Sequence, residues 1–236
     1  MKMRTILLFL TYVIIVLAMV PVLLVCLLAG VRDPLLAIGK WAVRLGTRIL
    51  GLRLDVSGLD RVDQRRSYLF MPNHVSFLDG PLAFMLIPQP VRVILKKEVF
   101  RLPVLGPGMT FVGFVPVDRK GAKGGKVAIE RAARQMKEKG FSFLIFPEGT
   151  RSRDGRLQRF RRGGFFLALE SGAPIVPISI KGTYEMMPKG SFFIRKGHIR
   201  VTFHPAVPVE GYRAENLSEL IDRVRSIIQT GLGEEG

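Results

Sequence analysis

From Thr5 to Val31 the chain contains no charged residue. As a helix this run would measure about 40 Å at about 1.5 Å per residue, longer than the roughly 30 Å hydrocarbon core of a bilayer. A chain that begins this way must either place that surface in lipid or cover it with protein. A secretory signal has a much shorter apolar stretch and a small-residue cleavage site, and a lipoprotein signal needs a small residue where this chain has Val25 before Cys26. Pro21 removes one backbone donor within the run and favours a kink or a break into two shorter pieces. Spanning and re-entrant insertion are therefore both open. Lys2 and Arg4 precede the run, and Arg32, Lys40, Arg44 and Arg48 follow it, so charge does not orient it. A hairpin would put both flanks on one side.

The next segment, Leu35 to Leu50, carries Lys40, Arg44 and Arg48 at intervals of four among Leu36, Ile38, Trp41, Val43, Leu45 and Ile49. One charged stripe on an apolar helix is an interfacial pattern: the apolar face enters the acyl region, the cations meet lipid phosphates, and Trp41 suits the headgroup boundary. A core-packed amphipathic helix is the alternative. Residues 1–50 thus read as a membrane-anchoring helical segment, placing the protein at a membrane, on the cytoplasmic face of the cell membrane. The whole chain of 236 residues has 36 Lys plus Arg against 19 Asp plus Glu, a formal charge of +17, while 48% of it is hydrophobic. That combination excludes global disorder and points to phosphate-bearing partners. A single cysteine excludes an internal disulfide framework and a multi-thiolate zinc site, and fits a reducing compartment.

Residues 51–236 read as one alternating domain. Runs rich in Val, Ile and Phe at Leu52–Val56, Tyr68–Met71, Val91–Leu95, Phe114–Val117, Phe141–Phe146, Ile175–Ile180 and Ile199–Phe203 are strand candidates. Helical stretches lie at Lys126–Lys139, Gly163–Glu170 and Leu217–Thr230; the last repeats Leu217, Leu220, Ile221, Val224, Ile227 and Ile228 at three and four. The expected fold class is α/β, a central mostly internal sheet flanked by helices and preceded by the membrane-associated helical segment. Strand order does not follow from the pattern.

Three loops leave strand ends, where ligand sites in α/β sheets lie. After Pro72 come Asn73, His74, Ser76 and Asp79. A His and an Asp five apart would diverge by about 140° on one continuous helix, at about 100° per residue. Pro81 belongs in a first helical turn, so His74 falls in the loop and Asp79 at a helix start, where its carboxylate can turn back. Asp79 accepting from one imidazole nitrogen fixes the tautomer and leaves the other to take a proton from a hydroxyl, making His74 a general base. The plain alternative is a helix cap beside a loop histidine. After Pro147 come Glu148, Gly149, Thr150 and Arg151, which together suggest an anion cradle: backbone access, a hydroxyl and a planar cationic fork. The alternative there is a turn pairing Glu148 with Arg151. Phe114–Val117 delivers Asp118 and Arg119, the latter a second possible phosphate contact.

Other chemistries are not supported. Gly121–Lys126 lacks the spacing and hydroxyl of a P-loop, and Gly106, Gly108 and Gly113 are wrongly spaced for a dinucleotide fingerprint. His198 and His204 have no third ligand, so they read as surface or edge residues, and no metal is expected. The cluster Arg151, Arg153, Arg156, Arg159, Arg161 and Arg162 lacks interleaved aromatics, so no nucleic acid is expected; anionic lipid or an acidic carrier protein suits it better than nucleic acid, with a solvated basic loop as the alternative.

Four blocks in order resemble the 1-acylglycerol-3-phosphate (lysophosphatidic acid) acyltransferases: Asn73, His74, Ser76 and Asp79; Gly113 to Arg119; Phe146 to Ser152; and Val176, Pro177 and Ile178, with Lys96, Lys97 and Glu98 also similar. The resemblance covers about residues 68–180. It implies transfer of a fatty acyl group from acyl-CoA or acyl carrier protein, as substrate and not as bound cofactor, to the 2-hydroxyl of lysophosphatidic acid, giving phosphatidic acid. His74 and Asp79 would be catalytic, with no acyl-enzyme. Asn73, Ser76, Lys96, Arg119, Glu148, Gly149, Thr150, Arg151 and Pro177 would contact substrate, and anionic membrane lipids would be partners. A related enzyme using another lysophospholipid or glycerol 3-phosphate, and a non-enzymatic lipid-binding protein, are the competing readings.

Overall fold

The computed structural model describes residues 2–118 and 122–233. The first helix, α1 (Lys2–Ala29), is continuous through Pro21. The expected break therefore does not occur: a proline costs one backbone hydrogen bond, and the unbroken apolar sequence on either side keeps the helix going. Among the described residues α1 alone is long and apolar enough to cross a bilayer. It packs along α2 (Asp33–Leu50). The two approach closely at Gly46, where any Cβ would collide with the Tyr12 side chain, and the Tyr12 hydroxyl donates to the Ala42 carbonyl at 3.3 Å.

The amphipathic helix α2 is partly core-packed. Leu35, Leu36 and Leu50 are buried, whereas Trp41 is 54% exposed. Lys40 does not point toward lipid phosphates. Its ammonium donates to the carbonyls of Ile87, Pro88 and Gln89 at 2.5, 3.4 and 3.0 Å, just beyond α3 (Asp79–Leu86). Carbonyls left unpaired at a helix end attract a cation more strongly than the already hydrated lipid surface can.

All seven candidate strands form: β1 (Arg53–Ser57), β2 (Leu69–Pro72), β3 (Val91–Lys96), β4 (Val115–Val117), β5 (Ser142–Leu144), β6 (Ile175–Lys181) and β7 (His198–Phe203). They make one sheet in the order β1-β7-β6-β2-β5-β3-β4, parallel throughout except for the β6–β7 pair. Along β2 successive side chains enter opposite layers, as the period of two requires: Phe70 joins the core under α2 and α3, while Leu69 and Met71 join the core on the other face. That second layer is covered by α5 (Ala122–Lys139), α6 (Arg162–Ser171) and α8 (Leu217–Leu232). Two short helices complete the fold, α4 (Leu105–Phe111) and α7 (Thr183–Met186). His198 is exposed; half-buried His204 bonds the Ser179 hydroxyl at 2.8 Å, which in turn donates to the Ile228 carbonyl of α8.

Candidate active site

Pro72 ends β2 because the chain beyond it stops pairing through its backbone. The Asn73 side chain takes over: its amide donates to the Ile180 carbonyl at 3.0 Å and its oxygen accepts from the Ile180 N–H at 2.7 Å. This buried side chain imitates one more ladder position, so Asn73 holds the loop to β6. Ser76 is likewise internal. Its hydroxyl donates to the Met187 carbonyl at 2.8 Å and accepts from the Leu78 N–H at 3.2 Å.

Between them, His74 and Asp79 meet. His74 Nδ1 lies 3.0 Å from Asp79 Oδ2. The same oxygen accepts from the N–H groups of Val75 and Ser76, both at 2.7 Å, and Oδ1 accepts from the Thr183 hydroxyl at 2.6 Å. Four donors thus hold this fully buried carboxylate, three on Oδ2 and one on Oδ1, which fixes its rotamer and, through it, the imidazole. The His74 ring stacks on Phe146 at 3.9 Å between centroids. Nδ1 is committed to Asp79, and His74 lines a cavity.

The third loop supports the first from behind. Glu148 Oε1 accepts from the His74 N–H at 2.5 Å, and Oε2 accepts from the backbone and side-chain nitrogens of Gln158 at 3.0 and 3.2 Å. The Ser152 N–H donates to the His74 carbonyl at 2.9 Å. Glu148 therefore does not pair with Arg151 among the described residues: both its oxygens are taken up by N–H donors. Burial pushes its carboxyl up to about 7, against the partial opposition of the Gln158 and His74 donors.

A cavity of about 1530 Å³ lies at the carboxyl ends of β2 to β5. Its apolar wall includes Tyr12, Ile15 and Met19 of α1, Leu36 and Ala42 of α2, and Met109 of α4. Its polar portion includes His74, Gly149, Arg151 and Arg161, with Asp118, Lys126, Glu130 and Glu170 also in the lining. Gly149 has φ +72°, and a Cβ there would strike the Arg161 side chain, so glycine lets that guanidinium lie against the turn. The Arg151 guanidinium lies 5.9 Å from the Phe77 ring. Thr150 does not line this cavity; its hydroxyl accepts from Lys189 at 3.4 Å. Lys96 is exposed and paired with Glu98 at 3.5 Å, also outside the lining. Pro177 is buried within β6 opposite Met71 and does not reach the cavity. Arg119 lies outside the described residues.

Three contributors carried no individual signal in the sequence. Thr183 is one hydroxyl in an unremarked turn over a hundred residues from Asp79. Phe146 reads as a strand residue until its ring is seen under His74. Arg161 stood in the arginine cluster with nothing to separate it from its neighbours. Among the described residues no group of three or more His, Cys, Asp or Glu side chains could hold a metal ion.

Comparison with known proteins follows the same lines. The Acyltransferase family model matches residues 53–181, which include every strand-end loop described above. The 1-acyl-sn-glycerol-3-phosphate acyltransferase of Limnanthes douglasii is 32% identical over 76% of this chain and 63% of its own length. The Borreliella burgdorferi protein of the same name is 26% identical over 80% of this chain and 76% of its own. The chain spans less than two thirds of the length of the plant relatives it matches, 48% for the chloroplastic protein of Brassica napus, which is 36% identical. The crystal structure of the 1-acyl-sn-glycerophosphate (LPA) acyltransferase from Thermotoga maritima superposes with a TM-score of 0.83 at 27% identity, covering 98% of this chain and 95% of that one. With more than half of its residues matched to the family model, and the buried His74–Asp79 pair inside the matched region, this chain belongs to the acyltransferase family.

Proposed function

We propose that the protein transfers a fatty acyl group from an acyl thioester to the 2-hydroxyl of 1-acylglycerol 3-phosphate, forming phosphatidic acid. The observation that carries this reading is the His74–Asp79 pair, 3.0 Å apart, at the junction of an apolar chamber and a cationic rim. His74 Nε2 takes the hydroxyl proton as the oxygen attacks the thioester carbonyl. The new C–O bond forms, the C–S bond breaks, and the imidazolium returns its proton to the departing thiolate. Asp79 stabilises the imidazolium by holding its Nδ1 proton. Direct transfer is favoured because Ser76, the hydroxyl nearest in sequence, is buried and bonded to Met187. Arg151 and Arg161 suit the acceptor phosphate, since planar guanidinium groups match its oxygens. The acyl chains take the apolar chamber, and acyl-CoA or acyl carrier protein is consumed as the donor, with no bound cofactor. The names of the relatives support the choice of acceptor.

Membrane attachment through α1 and α2, on the cytoplasmic face where acyl thioesters are made, completes the reading. Both ends of α1 are tied to the rest of the protein. Arg4 donates to the Leu50 carbonyl at 3.3 Å, the Thr5 hydroxyl accepts from the Ile194 N–H at 3.4 Å, and Leu23 and Cys26 are buried. This favours a helix lying in one leaflet over one that crosses, because a crossing helix would carry one end away from the domain.

Thiol release from acyl-CoA and from acyl carrier protein, measured in detergent with lysophosphatidic acid, other lysophospholipids and glycerol 3-phosphate, tests the proposal. Release that depends on lysophosphatidic acid and disappears in His74→Ala supports it. Full turnover by His74→Ala, or liposome binding with no release for any pair, overturns it.

A further inference from the structure

The turn from Pro147 to Thr150 has two faces. One faces the catalytic cavity. Against the other lies a separate recess of about 470 Å³, lined by Thr150, Gln158, Arg159, Phe160, Arg161 and Arg162, with Glu148 at its base. Arg161 lines both spaces. The proposed reaction brings two phosphate-bearing molecules together, and the groups assigned above to the acceptor leave Arg159 and Arg162 of this second cluster unused.

The charge balance of the recess favours an anion. Glu148 is the one acidic side chain lining it; burial raises its carboxyl to about 7, and both its oxygens are already occupied by N–H donors. Against it stand three exposed guanidinium groups. Arg162 spends one nitrogen on the Ala214 carbonyl at 3.2 Å, and none of the three makes an ion pair among the described residues. Like charges gathered in a concave site repel one another unless an anion joins them, and guanidinium groups offer the forked donors that a phosphate accepts. The recess is also adjacent to the chemistry, because Glu148 in its base holds the His74 N–H.

We infer that this recess binds the phosphate of the acyl donor's phosphopantetheine arm, with Arg159 and Arg162 as its outer contacts. This inference rests on the function proposed above. Coenzyme A and an acyl carrier protein both carry that phosphate, and each has a body too large to follow its thioester into the apolar chamber. Anchoring at the rim leaves the arm free to pass Arg161 and present the thioester to His74, while Arg151 holds the acceptor phosphate on the other face of the turn.

The test is direct binding, by calorimetry on the full-length protein in detergent, of coenzyme A, of holo acyl carrier protein, and of pantetheine, which lacks the phosphate. The expected result is that coenzyme A or the holo carrier binds, and that Arg159→Ala/Arg162→Ala weakens that binding about tenfold or more. Pantetheine binding should be weaker and unaffected by the substitutions. Whichever arm responds identifies the source of the phosphate. Arg159→Glu should weaken binding further, distinguishing charge recognition from lost packing. Unchanged affinity of the double variant for both phosphate-bearing ligands overturns the inference, as does an equal loss for pantetheine. Because the readout is binding, this result is independent of the His74→Ala turnover result that decides the proposed function.

Discussion

Glu148 Oε1 lies 2.5 Å from the backbone nitrogen of His74, so the loop that carries His74 leans on a carboxyl that burial has raised to about 7. Folding raises this pKa above the ordinary carboxylate value, so the folded state holds the proton more tightly than the unfolded chain. The associated stability is fully present below about 4.5 and is lost as pH rises through about 7. Thermal melts of the wild type and Glu148→Gln from pH 4.5 to 8 should show the wild type losing up to about 3 kcal/mol more than the variant across that range. Parallel curves would show that Glu148 does not titrate in this window.

Asp79 and Thr183 act on the imidazole in series. Asp79→Asn keeps the size of the side chain but offers an amide where Nδ1 needs an acceptor. Turnover should fall by about 10³ to 10⁴ with little change in KM. Thr183→Val leaves Asp79 Oδ1 buried without its hydroxyl donor, a loss of about 1.5 to 3 kcal/mol. Its kcat should drop roughly tenfold to a hundredfold, and Thr183→Ser should restore most of it. If serine restores nothing, the hydroxyl is not what threonine supplies.

At Gly149 a side chain meets two obstacles. The residue sits at φ +72°, which costs an L-residue about 1 to 2 kcal/mol, and a Cβ would press on the Arg161 side chain. Gly149→Ala should therefore raise KM for the phosphate-bearing acceptor about tenfold, while a neutral acceptor of the same chain length is little affected. Equal changes for both acceptors would point to loop collapse and not to loss of a phosphate contact.

Lys40 joins α2 to the end of α3 through three carbonyls. Lys40→Met preserves the packing stem but strands those carbonyls, and Tm should fall by roughly 3 to 10 °C. A substitution at exposed Trp41, such as Trp41→Ser, should leave Tm nearly unchanged and weaken binding to anionic vesicles. The reverse pattern would mean that α2 is held by lipid and not by the protein.

Much of this fold was legible because most of its strands are short, apolar and buried, and β1, β2, β5, β6 and β7 run into a proline or glycine soon after, or at, their ends. The order of strands was not legible, since it depends on which helices cross over which edge, and hydrophobic pattern is the same for either. In the site, the five-residue spacing from His74 to Asp79 could be read because Pro81 indicated where a helix begins. Glu148 was misread: a carboxylate beside an arginine looks the same in sequence whether it faces a ligand or a backbone N–H behind it. Lys40 failed for a related reason, because a regular cationic stripe does not say which of its members will find a helix end to bond. Thr183 and Arg161 depended on long-range proximity, which no local pattern records.

The first helix forms a partition a single helix thick, about 10 Å. Ile15 and Met19 line the chamber, while Ile14 and Leu17, a fraction of a turn away, are exposed and apolar. An acyl tail moving from bilayer to chamber past such a wall exchanges one hydrocarbon surrounding for another, and avoids the roughly 0.8 kcal/mol per methylene that contact with water would cost. With α1 held in a bilayer as proposed, lipid would enter and leave sideways, at a rate set by the gap between helices and not by the solubility of the tail.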